Sequence, residues 1–313
     1  MLNNYLNINI KFKIISVIVC FFSIFFSTII YSQSYYKTIE VASNEIVAFN
    51  FNSADSIIKS LEGEYANDYL FTQLKTTYLW WMIISGLDTK EMRDVYYVEA
   101  ELTVQNIKQY SGPERNCMWG LLFNSFISHG YRTRLLSMDN NYFSVINYAS
   151  KTVKTIEKTL GKEQQCDCYK LTSGLYNYFA QTSRDESIMY YAALMFFPES
   201  NEQNGIRFLK DAAGSSNLLI SAEASYFLAR IFDEKEETYK DALFYYDILT
   251  SRYPNNLIYN YYELKTLIKA KSSTGVLNKK FQKLQLSLES NDQLTKDQVI
   301  YFDQLFKKLQ KKI

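Results

Sequence analysis

The 313-residue sequence has few helix-breaking residues and few of the side chains that enzymes use for catalysis. It contains 10 glycines, 3 prolines and 1 histidine. Strand-rich folds need many turns, which glycine and proline largely supply, so their scarcity predicts long helices joined by short loops. Because His129 is the sole histidine, catalysis by a serine–histidine or cysteine–histidine pair would depend on this one residue.

The common catalytic and nucleotide-binding motifs are also missing from the sequence. It has no G-x-S-x-G, H-E-x-x-H, G-x-G-x-x-G or P-loop pattern. Asp233, Glu234, Glu236 and Glu237 cluster in a predicted loop, where carboxylates are normally solvated. We therefore predict a protein that is not an enzyme and that holds neither a cofactor nor a metal.

The single histidine lies in the segment SFISHGYRTR, close to Arg132 and Arg134. In one interpretation, His129 and the two arginines together meet an anionic ligand. In the other, a helix ends here, with Gly130 just beyond it and the basic side chains near its negative end. We favour the helix end.

The first 33 residues predict export. Lys11 and Lys13 are the only charged residues before Lys37, and an uncharged stretch follows over 14–31. A basic segment followed by an apolar one is typical of a secretory signal peptide, here cut after Ser32 or Gln33. The alternative is an uncleaved anchor that associates the chain with a membrane, since about 18 apolar residues just suffice to span a bilayer. We predict a protein exported to the periplasm or associated with the outer membrane.

Three cysteines lie beyond the predicted signal peptide: Cys117, Cys166 and Cys168. An oxidising compartment would allow Cys117 to pair with either of the other two. A metal at Cys166 and Cys168 would need further ligands, and the chain has one histidine. We predict a cysteine pair in a loop with at most one structural disulfide.

The charge of the remaining chain is balanced. Residues 34–313 carry 32 basic and 33 acidic side chains. Nucleic-acid binding depends on clustered lysine and arginine that neutralise phosphates, and basic residues are concentrated only over 306–313. A terminal amphipathic helix with a solvated lysine face explains that cluster, so we predict no nucleic-acid partner.

Residues 222–255 contain the clearest pattern in the sequence, two helices with small and aromatic residues at regular spacing. The pattern consists of Ala222, Tyr226, Leu228, Ala229 and Phe232, then Tyr239, Ala242, Tyr246 and Leu249, with Pro254 at the end. Small residues allow two helices to cross closely, and proline cannot continue a helix. The segment resembles one tetratricopeptide (TPR) repeat, whose usual length is about 34 residues.

The rest of the chain reads as consecutive helices. The predicted helices cover 34–48, 49–67, 68–86, 89–110, 114–128, 139–160, 167–183, 186–197, 204–213, two within 222–255, 256–271, 275–289 and 294–312. Gly205, Leu209 and Ala212 repeat the spacing of Ala242, Tyr246 and Leu249. The predicted fold is all-α, an α-solenoid of about six TPR-like antiparallel helix pairs in a single domain over 34–313.

Further segments resemble a narrower group within the TPR-like superfamily. GLYNYFA (174–180), ALMFFPES (193–200) and NGIRFLKDAA (204–213) precede the clear repeat. Their order resembles exported bacterial TPR-like proteins of unassigned role, distantly similar to eukaryotic TPR-like outer-mitochondrial-membrane and inclusion-clearance proteins. Together with 76–86 and 128–151, these segments cover about half of the chain beyond the signal peptide. The resemblance implies an α-solenoid with a protein-interaction or envelope-associated role and supplies no catalytic residue.

The predicted function is a non-catalytic, exported TPR-like scaffold that binds a protein partner in the cell envelope. Stacked helix pairs form a concave surface, and exposed aromatic rings on it anchor partners. The predicted protein-binding residues are Trp80, Trp81, Tyr176 and Tyr178. The alternative is a carbohydrate-binding outer-membrane accessory protein, which would need a pair of exposed aromatic rings in one cleft.

Overall fold

The structure, a computed structural model, is helical throughout the residues that it describes and has no strand among them. It describes residues 34–113, 115, 118–139, 142–186 and 197–313. The predicted signal peptide over 1–33, almost all of the predicted helix 186–197, and Cys117 lie outside the described residues. Within the described chain, the all-α prediction is confirmed.

Most helices agree with the predicted ranges to within a few residues. We number them in chain order through the described residues: α1 (34–47), α2 (Phe51–Tyr65), α3 (Tyr69–Ile84), α4 (Lys90–Gln109), α5 (Leu121–Met138), α6 (Tyr142–Glu157), α7 (Asp167–Glu186), α8 (Glu202–Ala213), α9 (Leu218–Phe232), α10 (Tyr239–Arg252), α11 (Leu257–Lys269), α12 (Thr274–Glu289) and α13 (Lys296–Gln310). A short 3₁₀ turn, Glu236–Thr238, precedes α10.

Polar side chains fix where several of these helices begin. Asp68 accepts a hydrogen bond from the backbone N–H of Leu70 at the start of α3. Asn217 and Asn256 each accept two such bonds, at the starts of α9 and α11. These caps satisfy N–H groups that have no partner within the helix, which favours helix formation at the marked positions.

Each helix from α2 to α13 packs against the next one in this numbering. In addition, α3 contacts α5, α5 contacts α7, and α7 contacts α9. Short connections between two helices usually make them antiparallel neighbours. The contacts link successive helices and, at these three places, helices two apart in the numbering.

The segment that resembles a TPR repeat is the tightly packed pair α9 and α10. Ala229, Ala242 and Tyr246 have no exposed surface, and Ala222 and Leu249 are 1% exposed. Gly205 of α8 lies against α7, where a Cβ atom in its place would come within 2.5 Å of the Tyr178 nitrogen. The small residues therefore allow the close helix contacts that their spacing predicts.

The two ends of the described chain meet. The Asn256 side chain donates a hydrogen bond of 2.7 Å to the Val47 carbonyl, and Gln298 Nε2 lies 2.6 Å from Ser85 Oγ. The Phe49 and Phe302 rings lie 6.1 Å apart. In an open helical stack each repeat contacts only its neighbours, whereas here the first helices share a core with the last.

Helix α5 is the main departure from the predicted boundaries. The sequence predicts a helix over 114–128 that ends near Gly130, but α5 continues through Gly130 to Met138. The helix-end interpretation of Gly130 is therefore wrong. Glycine often follows the last residue of a helix, but the φ of Gly130 is negative and compatible with an uninterrupted helix.

The two cysteines of the predicted pair are bonded to each other. Cys166 and Cys168 form a disulfide with each other, with their Cα atoms 5.5 Å apart. Cys117 lies outside the described residues, so the predicted pairings with it stay predictions. The disulfide lies at the start of α7, where Asp167 accepts hydrogen bonds from Lys170 (2.8 Å) and Ser215 (2.6 Å).

Within the described ranges, no helix has the length and apolar character needed to cross a bilayer.

Candidate functional site

Four helices, α5, α6, α7 and α9, surround a cavity of about 530 Å³. That volume falls within the range of ligand sites, roughly 300–1,000 Å³. Most of the lining is apolar and includes Phe126, Ile127, Ala149, Val153, Ile156, Leu171, Leu175, Phe179, Ala180 and Phe227. Arg134 and Glu223 are the charged residues in the described lining. An apolar cavity with a few polar groups is the usual form of a ligand-binding site.

One face of α5 forms a wall of this cavity. Ile127, Gly130, Arg134 and Ser137 all line it, and their spacing of three or four residues places them on the same side of a helix. Gly130 has no heavy atom within 4 Å of the position that a Cβ would occupy. The glycine therefore leaves open space in the wall without being needed for the backbone conformation.

His129 and Arg132 point away from the cavity. Successive helical residues turn by about 100°, so Arg132 lies on nearly the opposite side from Arg134. Arg132 forms an ion pair of 2.9 Å with Glu101 of α4, and the His129 ring lies 6.1 Å from the Tyr148 ring of α6. The alternative interpretation, in which His129, Arg132 and Arg134 meet one anion, is therefore also wrong, and of the three only Arg134 reaches the cavity.

The environment of His129 keeps its ring neutral. Burial lowers the pKa of His129 to about 4, and the nearby positive charges of Lys151 and Arg132 act in the same direction. Its Nδ1 atom has no hydrogen-bond partner. A buried, neutral imidazole away from the cavity is part of the packing between α4, α5 and α6.

Arg134 brings a positive charge into the apolar cavity. Its guanidinium donates a long hydrogen bond of 3.4 Å to the Tyr226 hydroxyl and lies 5.3 Å from the centre of the Trp80 ring. Among the described residues, no carboxylate comes within 4.0 Å of it. A guanidinium has five N–H donors, so most of the hydrogen-bonding capacity of Arg134 is available to a ligand.

Glu223 lies on the α9 side and borders the main cavity and two smaller ones. Its carboxylate accepts a hydrogen bond of 3.5 Å from the Tyr131 hydroxyl. Burial raises the pKa of Glu223, and Arg134 and Tyr131 partly offset that rise. The surroundings therefore favour the neutral acid more than water does.

The four predicted protein-binding residues belong to the core in this structure. Trp80 is 2% exposed, and Trp81, Tyr176 and Tyr178 are 4% exposed. Trp80 stacks on Tyr131 with ring centres 5.0 Å apart. Tyr176 borders the cavity, and its hydroxyl donates a hydrogen bond of 2.6 Å to the Pro198 carbonyl. Contact between these residues and a protein partner stays a prediction.

The predicted acidic loop splits into one buried and three exposed carboxylates. Glu234, Glu236 and Glu237 are exposed. Asp233, in contrast, is 3% exposed and pairs with Lys269 Nζ at 2.7 Å and Thr266 Oγ1 at 2.6 Å. This carboxylate joins α9 to α11, which is a structural role that the loop assignment did not anticipate.

Sequence reasoning found Arg134 but placed it at a helix end, and it did not select Glu223. A signal for Glu223 is present in the repeat itself. It lies between Ala222 and Ala224, on a helix whose residues are nearly all apolar or small, where a charged side chain must face some polar or open space.

Comparisons of the chain with protein-family models, curated proteins and solved structures found no match. Among the described residues, no three histidine, cysteine, aspartate or glutamate side chains are grouped so that they could hold a metal ion. The described lining of the cavity combines apolar walls with one cation, Arg134, and one half-buried acid, Glu223.

Proposed function

We propose that the chain is an exported, non-catalytic TPR-like α-solenoid that binds a protein partner in the cell envelope. Three features support this proposal. Residues 222–255 resemble a TPR repeat, each helix from α2 to α13 contacts the next, and some helices two apart in the numbering also touch. Together they fit a stack of about six helix pairs whose ends are brought together.

The observation that carries the binding role is the cavity of about 530 Å³ between α5, α6, α7 and α9. Interfaces are dominated by a few apolar or aromatic side chains that fill pockets. We propose that the partner inserts apolar side chains here while its backbone remains at the mouth. A carbohydrate partner is not favoured by any specific observation, because Trp80 and Trp81 are buried.

A crosslinking experiment in the native host tests this function. A photo-reactive amino acid at Ser137, an exposed residue that borders the cavity, should yield a discrete protein adduct identifiable by mass spectrometry. The variant Gly130→Leu fills the cavity from α5 and should abolish the adduct. Leucine favours helix over glycine, and the site is open, so the loss would not reflect unfolding.

The matched control is Gly63→Leu on α2, an exposed helical glycine that also has no heavy atom near its Cβ position. It should leave the adduct unchanged. Absence of any protein adduct, or an adduct of equal yield in Gly130→Leu, would overturn the cavity as the protein-binding site.

A further inference from the structure

A purely apolar partner would not pair with the positive charge of Arg134. The guanidinium faces a cavity with mainly apolar walls, and no described carboxylate lies within 4.0 Å of it. We propose that the cavity is a binding site for a long-chain monocarboxylate, with the carboxylate on Arg134 and the hydrocarbon chain between α6 and α7.

The first argument concerns the charged end of the ligand. Arginine presents parallel N–H donors that match the two oxygens of a carboxylate, and such charge-assisted bidentate pairs are stronger than hydrogen bonds between neutral groups. Trp80 and Tyr226 hold the guanidinium in place. Arg134 also borders the small inner cavity beside Trp81 and Tyr259, and the residue remains exposed, so a ligand can reach its guanidinium from solvent.

The second argument concerns the chain. From the guanidinium, the cavity extends along Val153 and Ile156 of α6 and Leu171, Leu175 and Phe179 of α7. Burial of each methylene group contributes a favourable free energy of transfer from water. A ligand whose carboxylate pairs with Arg134 and whose alkyl chain lies along these walls would contact both the charged and the apolar parts of the cavity.

The third argument explains why the site favours a hydrocarbon chain over a polypeptide backbone. Thr133, Ser137 and Thr152 border the cavity, but their hydroxyls already donate to carbonyl groups of their own helices at 2.7–2.9 Å. Peptide carbonyls threaded into the site would find few donors, and buried polar groups without partners are costly. An alkyl chain has no such requirement.

Glu223 is compatible with an anionic ligand. Its surroundings favour the neutral acid, because burial raises its pKa. A raised pKa lowers the fraction of Glu223 that is charged and so weakens its repulsion of an incoming carboxylate. Substitution can therefore distinguish the roles of Arg134 and Glu223, because only Arg134 attracts the carboxylate of the ligand.

This site goes beyond the proposed function, because it names a small ligand in the space that the partner's side chains would enter. A bound carboxylate would compete with the partner. Binding is measured directly, by calorimetric titration of the purified chain with decanoate, dodecanoate and uncharged decanol. Tryptophan fluorescence provides a second readout, because Trp80 adjoins Arg134.

We expect decanoate to bind about tenfold or more tightly than decanol, as hydrogen bonds to charged groups imply. Affinity should rise about fourfold per added methylene between decanoate and dodecanoate. Arg134→Gln should remove the preference for the carboxylate, and Arg134→Lys should retain part of it. Glu223→Gln should bind decanoate at least as tightly as the wild type, whereas Gly130→Leu should bind neither compound.

Three results would overturn the proposal. They are equal affinity for decanoate and decanol, decanoate binding that survives Gly130→Leu, and tighter binding of a leucine tetrapeptide with a free C-terminus than of dodecanoate. The experiment is independent of the crosslinking test. A protein adduct without decanoate binding refutes this inference alone, and decanoate binding without an adduct refutes the protein-binding function alone.

Discussion

The two faces of α7 show opposite kinds of packing. Toward α8, the backbones are so close that a Cβ on Gly205 would lie 2.5 Å from the Tyr178 nitrogen. On the other side, Leu171, Leu175 and Phe179 border a cavity of about 530 Å³. Close packing on one side stabilises the helix, so the other side can remain open for a ligand without loss of the fold.

The same contrast separates two groups of helices. The closely packed group is α8–α10, with fully buried alanines at its contacts. The open group is α5–α7, which contributes most of the cavity lining. We expect substitutions that add or remove atoms to be costly in the first group and tolerated in the second.

The largest effect is expected where the closely packed group is joined to α11 by an ion pair whose carboxylate is buried. Asp233→Ala removes the carboxylate that Lys269 and Thr266 share and leaves each of them only a backbone carbonyl acceptor. Loss of one partner should lower the free energy of unfolding by about 3 kcal/mol. Urea unfolding followed by circular dichroism measures the change. Glu236→Ala, at an exposed carboxylate of the same loop, should change it by less than about 0.5 kcal/mol.

A second substitution tests the close approach itself. Gly205→Ala forces α8 away from the Tyr178 backbone, which cannot move aside as a flexible side chain would. Overpacking of this kind should lower the free energy of unfolding by about 2 kcal/mol. A variant as stable as the wild type would show that α7 and α8 are not in such close contact and would remove the contrast between the two faces.

In the open group, His129 of α5 makes the stability of the chain depend on pH. Burial and nearby positive charges lower the pKa of His129 from 6.5 to about 4, so the folded chain disfavours protonation and the unfolded chain does not. Stability is therefore full above about pH 6.5 and falls as the pH drops toward 4, by on the order of 2 kcal/mol.

The measurement compares urea unfolding of the wild type and His129→Gln at about pH 7.5 and about pH 4.5. The variant should lose less stability between the two conditions than the wild type, whatever its absolute stability. An equal loss in both proteins would mean that His129 is not buried beside Lys151 and Arg132.

The contrast between the regions also explains what the sequence can predict. Close contacts demand small residues at fixed positions, so Gly205, Ala229 and Ala242 are recognisable from spacing alone. A cavity demands only that space be left empty, and several apolar patterns satisfy that. From the sequence alone, Gly130 therefore looks like the residue just beyond a helix, and Arg134 looks like a basic residue near the end of that helix.

Local sequence patterns fail to predict the long-range contacts for a different reason. Asn256 meets Val47 and Gln298 meets Ser85, pairs that are separated by more than half of the chain. Spacing within one helix carries no information on which distant helix it will touch. The meeting of the first and last helices therefore emerges only from the folded structure.

The smallest expected effect is the most informative test of the difference between the close and the open regions. Gly130→Ala should stabilise the chain, whereas Gly205→Ala should destabilise it. Gly130→Ala adds a Cβ in the middle of α5, where no heavy atom lies within 4 Å. Alanine favours the helix over glycine by about 0.8–1.0 kcal/mol, so the free energy of unfolding should rise by about that amount. The same change at Gly63 of α2 is the control and should also be stabilising. If Gly130→Ala destabilises the chain, the space beside α5 is filled, and the division into a close face and an open face does not hold.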